Sequence, residues 1–219
     1  MPNWSGSIGL VFLVGIPIGV GNAQTPVPLP TTTQTPTQTP TRTPVQALLP
    51  VCGACHGADG NSAIPGTPSL AGQPRVFIEN QLVLIREGLR DVPAMKGLLE
   101  RTSDEDLVAL AKVYAELPAK PAPGQPDSGQ IDPDKIKRGA ALSKASLCAS
   151  CHSVDYAGRE QMPRLAMQRE DFLRASLKEF RDGPAAGRDT NMTATLRGMS
   201  DQQLNDLAHY FATAGRHPK

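Results

Sequence analysis

A five-residue pattern of two cysteines and a histidine occurs twice in the chain and uses all of its cysteines. The first copy, C-G-A-C-H, occupies residues 52–56, and the second, C-A-S-C-H, occupies residues 148–152. Two thiols at this spacing can add to the two vinyl groups of a porphyrin, and the next histidine is then held against the iron as an axial ligand. The pattern therefore predicts two covalently attached haem c groups. The predicted residues are Cys52, Cys55, Cys148 and Cys151 for attachment, and His56 and His152 for the iron.

Other chemistries also use paired cysteines. A lone C-x-x-C pair can form a disulfide, a thioredoxin-like redox site or half of a zinc site. A zinc ribbon uses four cysteines, but it needs no histidine after each pair, and its halves usually lie closer together than the 96 residues that separate these copies. The repeated histidine therefore favours haem.

The repetition extends well beyond the cysteines. Residues 68–73 (P-S-L-A-G-Q) match residues 163–168 (P-R-L-A-M-Q), and an amphipathic stretch that ends at a glycine follows each segment. Ser103 and Ser200 begin capping-box patterns, and apolar residues recur after them at i, i+3, i+4 and i+7. We therefore expect two similar helical modules.

Aligning the two copies selects Met95 and Met192 as the second axial ligands. Each lies eight residues before a capping serine, and they follow the motif histidines by 39 and 40 residues. The other methionines after Met1 have no methionine at the aligned position, so space-filling or surface roles suit them better. Thioether sulfur is a common partner of histidine-ligated haem in electron carriers.

Two further histidines receive no role. His209 aligns with Lys112 and lies one helical step from the apolar stripe, so we expect it to face solvent. His217 lies close to the end of the chain.

The chain begins with a predicted export signal over residues 1–23. An apolar run of 13 residues, 8–20, is short for a membrane span, and the small residues after it predict cleavage near Ala23. Its n-region has no Lys or Arg and Pro17 interrupts the apolar run, which leaves an uncleaved anchor as the alternative. Covalent haem attachment takes place outside the bacterial cytoplasm, so the signal and the motifs agree.

Proline-rich stretches divide the rest of the chain. Residues 24–46 are rich in Thr, Pro and Gln and predict a disordered spacer, and residues 118–133 predict a linker between domains. Two haem-binding domains are then expected at residues 47–117 and 134–219. Modules this small rarely stabilise themselves with side chains alone, and a bound haem would supply a large apolar body for each core.

With these motifs, residues 47–215 resemble the tandem two-haem class I cytochromes c of the cytochrome c4 type. The resemblance implies an all-α fold of two domains, each wrapped around one haem with histidine and methionine ligands, and electron carriage toward a respiratory oxidase. It also implies that the Pro68 and Pro163 carbonyls accept hydrogen bonds from Nδ1 of His56 and His152.

The first helix of domain 1 departs from the family pattern. Family domains begin with a helix before the haem motif, and residues 134–147 supply one in domain 2, with Gly139 where helices can approach closely. Domain 1 has only residues 45–51, with Pro50 just before the cysteines. We expect a truncated first helix and leave its packing against residues 107–117 open.

Irons held on both axial sides leave no position for a substrate, so we expect an electron carrier and not an enzyme. The expected function is electron transfer in a periplasmic respiratory chain toward a terminal oxidase. The alternatives are a cytochrome subunit of a periplasmic dehydrogenase, with the spacer as a tether, and a two-haem peroxidase, which needs an open coordination position. Expected partners are a quinol–cytochrome c reductase or dehydrogenase as donor and the oxidase as acceptor, with peripheral membrane association as an option. No nucleic acid or small-molecule substrate is expected.

The net charge of +1 conceals two oppositely charged regions. Residues 47–117 contain 6 basic and 9 acidic side chains, whereas residues 131–219 contain 14 basic and 11 acidic ones. This asymmetry is either scatter among solvated side chains or a dipole that steers docking to charged partners.

Overall fold

The computed structural model describes residues 44–123, 126, 130–183, 187 and 189–215. The predicted export signal, the spacer up to residue 43, parts of the predicted linker and His217 lie outside these residues. The described residues belong to one compact unit. No helix within these ranges has the length and apolar character needed to cross a membrane.

Helices make up all of the regular structure that is described. An isolated bridge between Arg159 and Met162 is the one β pairing within the described residues. The all-α prediction is therefore confirmed. The elements are α1 (Val45–His56), α2 (Arg75–Arg86), a 3₁₀ turn (Pro93–Met95), α3 (Asp104–Glu116), α4 (Pro133–Ala145), α5 (Cys148–His152), α6 (Glu170–Asp182), α7 (Thr190–Leu196) and α8 (Asp201–Thr213).

Two separate apolar clusters form the core, one in each half of the chain. We call residues 44–123 the N-terminal half and residues 130–215 the C-terminal half. In the N-terminal half α1 and α2 pack against α3, and in the C-terminal half α4 and α6 pack against α8. The N-terminal cluster consists of Leu48, Ile78, Leu82, Leu99, Leu107, Leu110, Ala111 and Tyr114, and the C-terminal cluster consists of Leu173, Leu177, Leu196, Leu204, Leu207, Ala208, Phe211 and Ala212.

Both predicted helix caps are present. The Ser103 hydroxyl accepts a hydrogen bond from the backbone N–H of Asp106 at the start of α3. At the start of α8, Ser200 and Gln203 form a full capping box, in which each side chain accepts from the backbone N–H of the other residue. The caps fix where the last helix of each half begins, and thus which face of it meets the core.

The first helices of the two halves differ. Helix α1 begins at Val45, two residues inside the predicted spacer, and continues without a break through the first motif to His56, with Pro50 inside it. It therefore starts as late as the sequence predicts, and it does contact α3. In the C-terminal half α4 ends at Ala145, Leu147 adopts a left-handed conformation (φ 55°), and α5 restarts at the second motif.

Gly139 allows the close approach of helices that the sequence predicts. A Cβ atom at this position would lie 2.3 Å from the Asp206 carbonyl oxygen and 2.6 Å from the Cβ of Tyr210. Only glycine fits such a distance without moving the backbone of α4 or α8.

The expectation that His209 faces solvent is wrong. Its side chain is fully buried, Nε2 accepts a hydrogen bond from the Asp132 N–H at 3.0 Å, and Nδ1 lies 3.1 Å from Glu170 Oε2. Because Nε2 is an acceptor, the proton is on Nδ1, which donates to the carboxylate. The starts of α4 and α6 cover this side of α8, whereas the aligned Lys112 in α3 is exposed.

Candidate haem sites

The four cysteines lie in two equivalent sites, one in the C-terminal part of α1 and one in α5. Cys52 and Cys148 are half-buried and pack against the core of their own half, whereas Cys55 and Cys151 are exposed, and all four thiols are free. Burial raises the pKa of the Cys52 and Cys148 thiols. Within the described ranges, no three His, Cys, Asp or Glu side chains gather as a metal cluster, so the cysteine pairs do not meet as in a zinc ribbon.

Each motif histidine is held by one backbone carbonyl. Nδ1 of His56 lies 2.8 Å from the Pro68 carbonyl oxygen, and Nδ1 of His152 lies 2.8 Å from that of Pro163. A carbonyl oxygen can only accept, so Nδ1 carries the proton and Nε2 keeps its lone pair. The two hydrogen bonds implied by the family resemblance are therefore confirmed.

The protonation state of these rings suits a metal ligand. Both imidazoles are buried, and desolvation lowers the pKa of each, which favours the neutral form that a metal requires. Nε2 of His152 is buried and makes no hydrogen bond to any described residue. A buried polar atom of this kind is costly unless something else binds it, and iron coordination would do so. The site thus fits a haem iron.

The two predicted methionine ligands lie in equivalent places. Met95 ends the 3₁₀ turn between α2 and α3, and Met192 lies in α7, between α6 and α8. Each is half-buried and packs against the core cluster of its own half, as do Cys52 and Cys148. The fold thus brings a methionine and an attachment cysteine to the same core in each half. Axial ligation by the two sulfur atoms remains a prediction.

The repeated P-x-L-A-x-Q segments meet between the halves, a contact that the sequence does not predict. The Gln168 amide accepts from the Ser69 N–H at 2.8 Å and donates to the Ser69 carbonyl at 2.9 Å. Reciprocally, the Gln73 amide accepts from the Arg164 N–H at 2.9 Å and donates to the Arg164 carbonyl at 3.0 Å. All four residues are buried. We call these four hydrogen bonds the crossed amide clamps.

Arg164 also places a buried cation where the halves meet. Its Nη2 donates to the Ala71 carbonyl at 2.8 Å and its Nη1 donates to the Ala166 carbonyl, whereas Nε makes no hydrogen bond to any described residue. Desolvation lowers the pKa of this guanidinium to about 10, so the cation persists at neutral pH. The aligned residue in the N-terminal half is Ser69, so the charge is present on one side only.

Comparison with known proteins agrees with this geometry. The family model for Cytochrome c matches residues 136–215. The chain is 36% identical over 147 residues to cytochrome c4 of Pseudomonas aeruginosa, an alignment that covers 63% of this chain and 70% of that one. It is 32% identical over 174 residues to a thiosulfate dehydrogenase electron acceptor of Stutzerimonas stutzeri, covering 75% and 79%. The crystal structure of reduced recombinant cytochrome c4 from Pseudomonas stutzeri matches with a TM-score of 0.70 and 29% identity, over 78% of this chain and 96% of that one.

The two motifs, the carbonyl-bound histidines and the similarity to relatives over most of their length lead to one assignment. The chain belongs to the cytochrome c4 family of class I cytochromes, electron-transfer proteins with covalently attached haem c.

Proposed function

We propose that the protein is a periplasmic carrier with two haems that passes electrons along a respiratory chain toward a terminal oxidase. Cys52 with Cys55, and Cys148 with Cys151, would each attach one haem. The two haem-binding domains would span residues 47–117 and 134–219. The haem supplies the change between Fe(II) and Fe(III), and the chain holds and orients its ligands.

The observation that carries this proposal is the equivalence of the two sites. In each half a buried histidine is fixed at Nδ1 by a proline carbonyl at 2.8 Å, and a methionine packs against the same core as the attachment cysteine. Ligands on both sides of each iron would leave no coordination position for a substrate. That arrangement suits electron transfer and is unsuited to a peroxidase.

Carbon monoxide binding to the reduced holoprotein tests the carrier against the enzyme. Carbon monoxide needs a free axial position, so a protein with two saturated irons should not bind it rapidly. Rapid binding at either haem would contradict the proposed ligation and favour a haem enzyme.

Substituting each methionine tests the ligand assignment directly. Met95→His and Met192→His should each lower the potential of one haem, because imidazole stabilises Fe(III) better than thioether does. The weak long-wavelength absorption of sulfur bound to ferric haem should fall by about half in each variant. Met199→Leu is the matched control, since Met199 packs against the C-terminal core but aligns with Thr102. If the control shifted the potential as much as Met192→His, Met192 would not be the ligand.

A second candidate function is that of an electron-accepting subunit of a dehydrogenase. Its support is the 32% identity to the thiosulfate dehydrogenase electron acceptor. A stable complex with a dehydrogenase on purification from native membranes or periplasm would favour the subunit. Isolation as a monomer that reduces a terminal oxidase preparation would favour the free carrier.

Location and docking need their own measurements. The proposed periplasmic location depends on an export signal outside the described residues, and N-terminal sequencing of the protein from fractionated cells tests both cleavage near Ala23 and location.

The opposite charges of the two regions predict that reaction rates with charged redox partners fall as salt shortens the Debye length to about 10 Å at 0.1 M. Flat rates across a salt series, with donor and acceptor alike, would show that the asymmetry does not steer docking.

A further inference from the structure

The crossed amide clamps bind the same peptide groups that orient the motif histidines. The carbonyl of Pro68 and the N–H of Ser69 belong to one peptide unit. Its oxygen accepts from His56 Nδ1 at 2.8 Å, and its N–H donates to Gln168 Oε1 at 2.8 Å. A continuous chain of two hydrogen bonds therefore leads from the imidazole in the N-terminal half to an amide in the C-terminal half.

The same chain runs in the opposite direction at the other site. The Pro163 carbonyl accepts from His152 Nδ1 at 2.8 Å, and the N–H of Arg164 donates to Gln73 Oε1 at 2.9 Å. Each P-x-L-A-x-Q segment thus begins with the carbonyl that orients its own histidine. Each ends with the glutamine that holds the corresponding peptide of the other half.

We propose that Gln73 and Gln168 are positioning residues for the haem in the opposite half, and that they lower its potential. An acceptor on a peptide N–H polarises the amide and makes its carbonyl oxygen a stronger acceptor, since hydrogen bonds in a chain reinforce one another. A stronger acceptor at Nδ1 makes the imidazole a more basic ligand, and a more basic ligand favours Fe(III). The buried setting strengthens this effect, because little solvent screens it.

The two clamps are not equally rigid. Gln168 Oε1 also accepts from the Arg169 N–H at 2.9 Å, so two donors fix this oxygen. Both side-chain groups of Gln73 bind Arg164. The influence of Gln168 on the N-terminal haem should therefore exceed that of Gln73 on the C-terminal haem.

The test is a redox titration of the intact two-haem protein in which NMR resolves the two haems. Gln168→Leu keeps the volume but removes the acceptor for Ser69. It should raise the Fe(II):Fe(III) ratio of the N-terminal haem at fixed potential by about two- to tenfold, the factor expected for one hydrogen bond. Gln73→Leu should shift the C-terminal haem in the same direction but by less. Met95→His and Met192→His assign the two haems.

Each glutamine should shift the potential of the haem in the opposite half, and this distinguishes a positioning role from a packing role. Loss of packing would affect the haem in the half that carries the substitution, or both haems together. Unchanged potentials in both leucine variants, or shifts confined to the haem in the substituted half, would overturn the proposal.

Ser69→Ala is the matched control in the clamped segment. It removes the hydroxyl that accepts from the Ser62 N–H at 3.1 Å and leaves the peptide bound by Gln168 intact. The N-terminal haem should keep its potential. A shift as large as that of Gln168→Leu would mean that general loosening, and not the clamp, sets the potential.

Gln168→Glu provides a second test in case the leucine variants disrupt the contact between the two halves. A carboxyl group retains an acceptor oxygen for Ser69 in either protonation state, so the N-terminal haem should not become easier to reduce. A raised potential in this variant would overturn the proposal. The inference depends on the proposed ligation by His56 and His152. If that ligation were wrong, the unmodified protein would already fail the carbon monoxide test, whereas failure of the clamp alone would leave that result intact.

Discussion

The two halves reach the same site geometry with different first helices. In the N-terminal half a single helix, α1, includes the motif and makes a small contact with α3. In the C-terminal half α4 ends before the motif and packs extensively against α8, and α5 carries the motif after a break at Leu147. Nevertheless the histidine to carbonyl distance is 2.8 Å in both halves.

This difference separates what builds the site from what supports it. The shared parts are the P-x-L-A-x-Q segment, the capped last helix and the core that lies between them. The helical segment that precedes each motif varies, so it contributes to stability more than to site geometry. Substitutions in α4 should therefore destabilise the C-terminal half, whereas the corresponding substitutions in α1 should not destabilise the N-terminal half to the same extent.

The largest effect should come from Gly139→Ala. Its new Cβ would lie 2.3 Å from the Asp206 carbonyl, so α4 must move away from α8, at a cost of about 3 kcal/mol. Gly53→Ala in α1 is the control, because its Cβ would meet nothing closer than 3.4 Å and the second motif has Ala149 at this position. Denaturant unfolding followed by haem absorption measures both. Equal effects of the two substitutions on stability would contradict the proposed difference between α4 and α1.

His209→Ala should have the next largest effect on stability. It leaves the Asp132 N–H without its acceptor and opens a cavity beneath α4, at a cost of about 2 kcal/mol. The aligned Lys112→Ala removes only an exposed ion pair with Glu116 and should change stability by less than about 0.5 kcal/mol. A neutral His209→Ala in thermal unfolding would mean that the hydrogen bond from Asp132 to His209 does not help to hold the start of α4 against α8.

Met167→Gly should have a smaller effect, and a favourable one. Met167 has φ 57°, and the aligned residue in the N-terminal half is Gly72, with φ 65°. Their N–H groups make the same bond to the last helix, to Phe211 and Tyr114 respectively. Glycine relieves the left-handed strain, so we expect a gain of about 0.5 kcal/mol in free energy of unfolding. A loss would show that the methionine side chain contributes more to packing than its conformation costs.

The smallest effect concerns the chain that follows α3. Lys120 Nζ lies 2.8 Å from Asp59 Oδ2, and this bond, together with the hydrogen bond from the Asn61 N–H, lowers the pKa of Asp59 to about 2 from 3.8. The folded-state pKa lies below the unfolded value, so the contribution is present above about pH 4 and is lost as pH falls toward 2. Acid unfolding of Lys120→Gln should depend less on pH in this window. Parallel curves for the variant and the unmodified protein would refute the coupling.

The sequence was sufficient for features that a local pattern encodes. The C-x-x-C-H motifs predict the sites, and the capping serines predict where α3 and α8 begin. Gly139 predicts a close helix contact, because glycine weakens a helix interior and is usually placed there to let another element approach.

The sequence was insufficient where a residue's environment depends on remote parts of the chain. His209 resembles a surface residue in its helical register, and only the starts of α4 and α6 bury it. The glutamines of the clamps are visible in the repeat, but their partners lie 91 and 99 residues away. Nothing in the local pattern indicates that the two segments face each other.

The crossed amide clamps have a consequence for the origin of the tandem chain. Each segment makes the same hydrogen bonds to the other segment that it receives from it. This reciprocity is the relation between identical subunits in a symmetric, isologous dimer. Two separate copies of a single module with this segment could therefore make the same contact. Fusion of the copies would supply no new interaction and would only raise the effective concentration of one for the other.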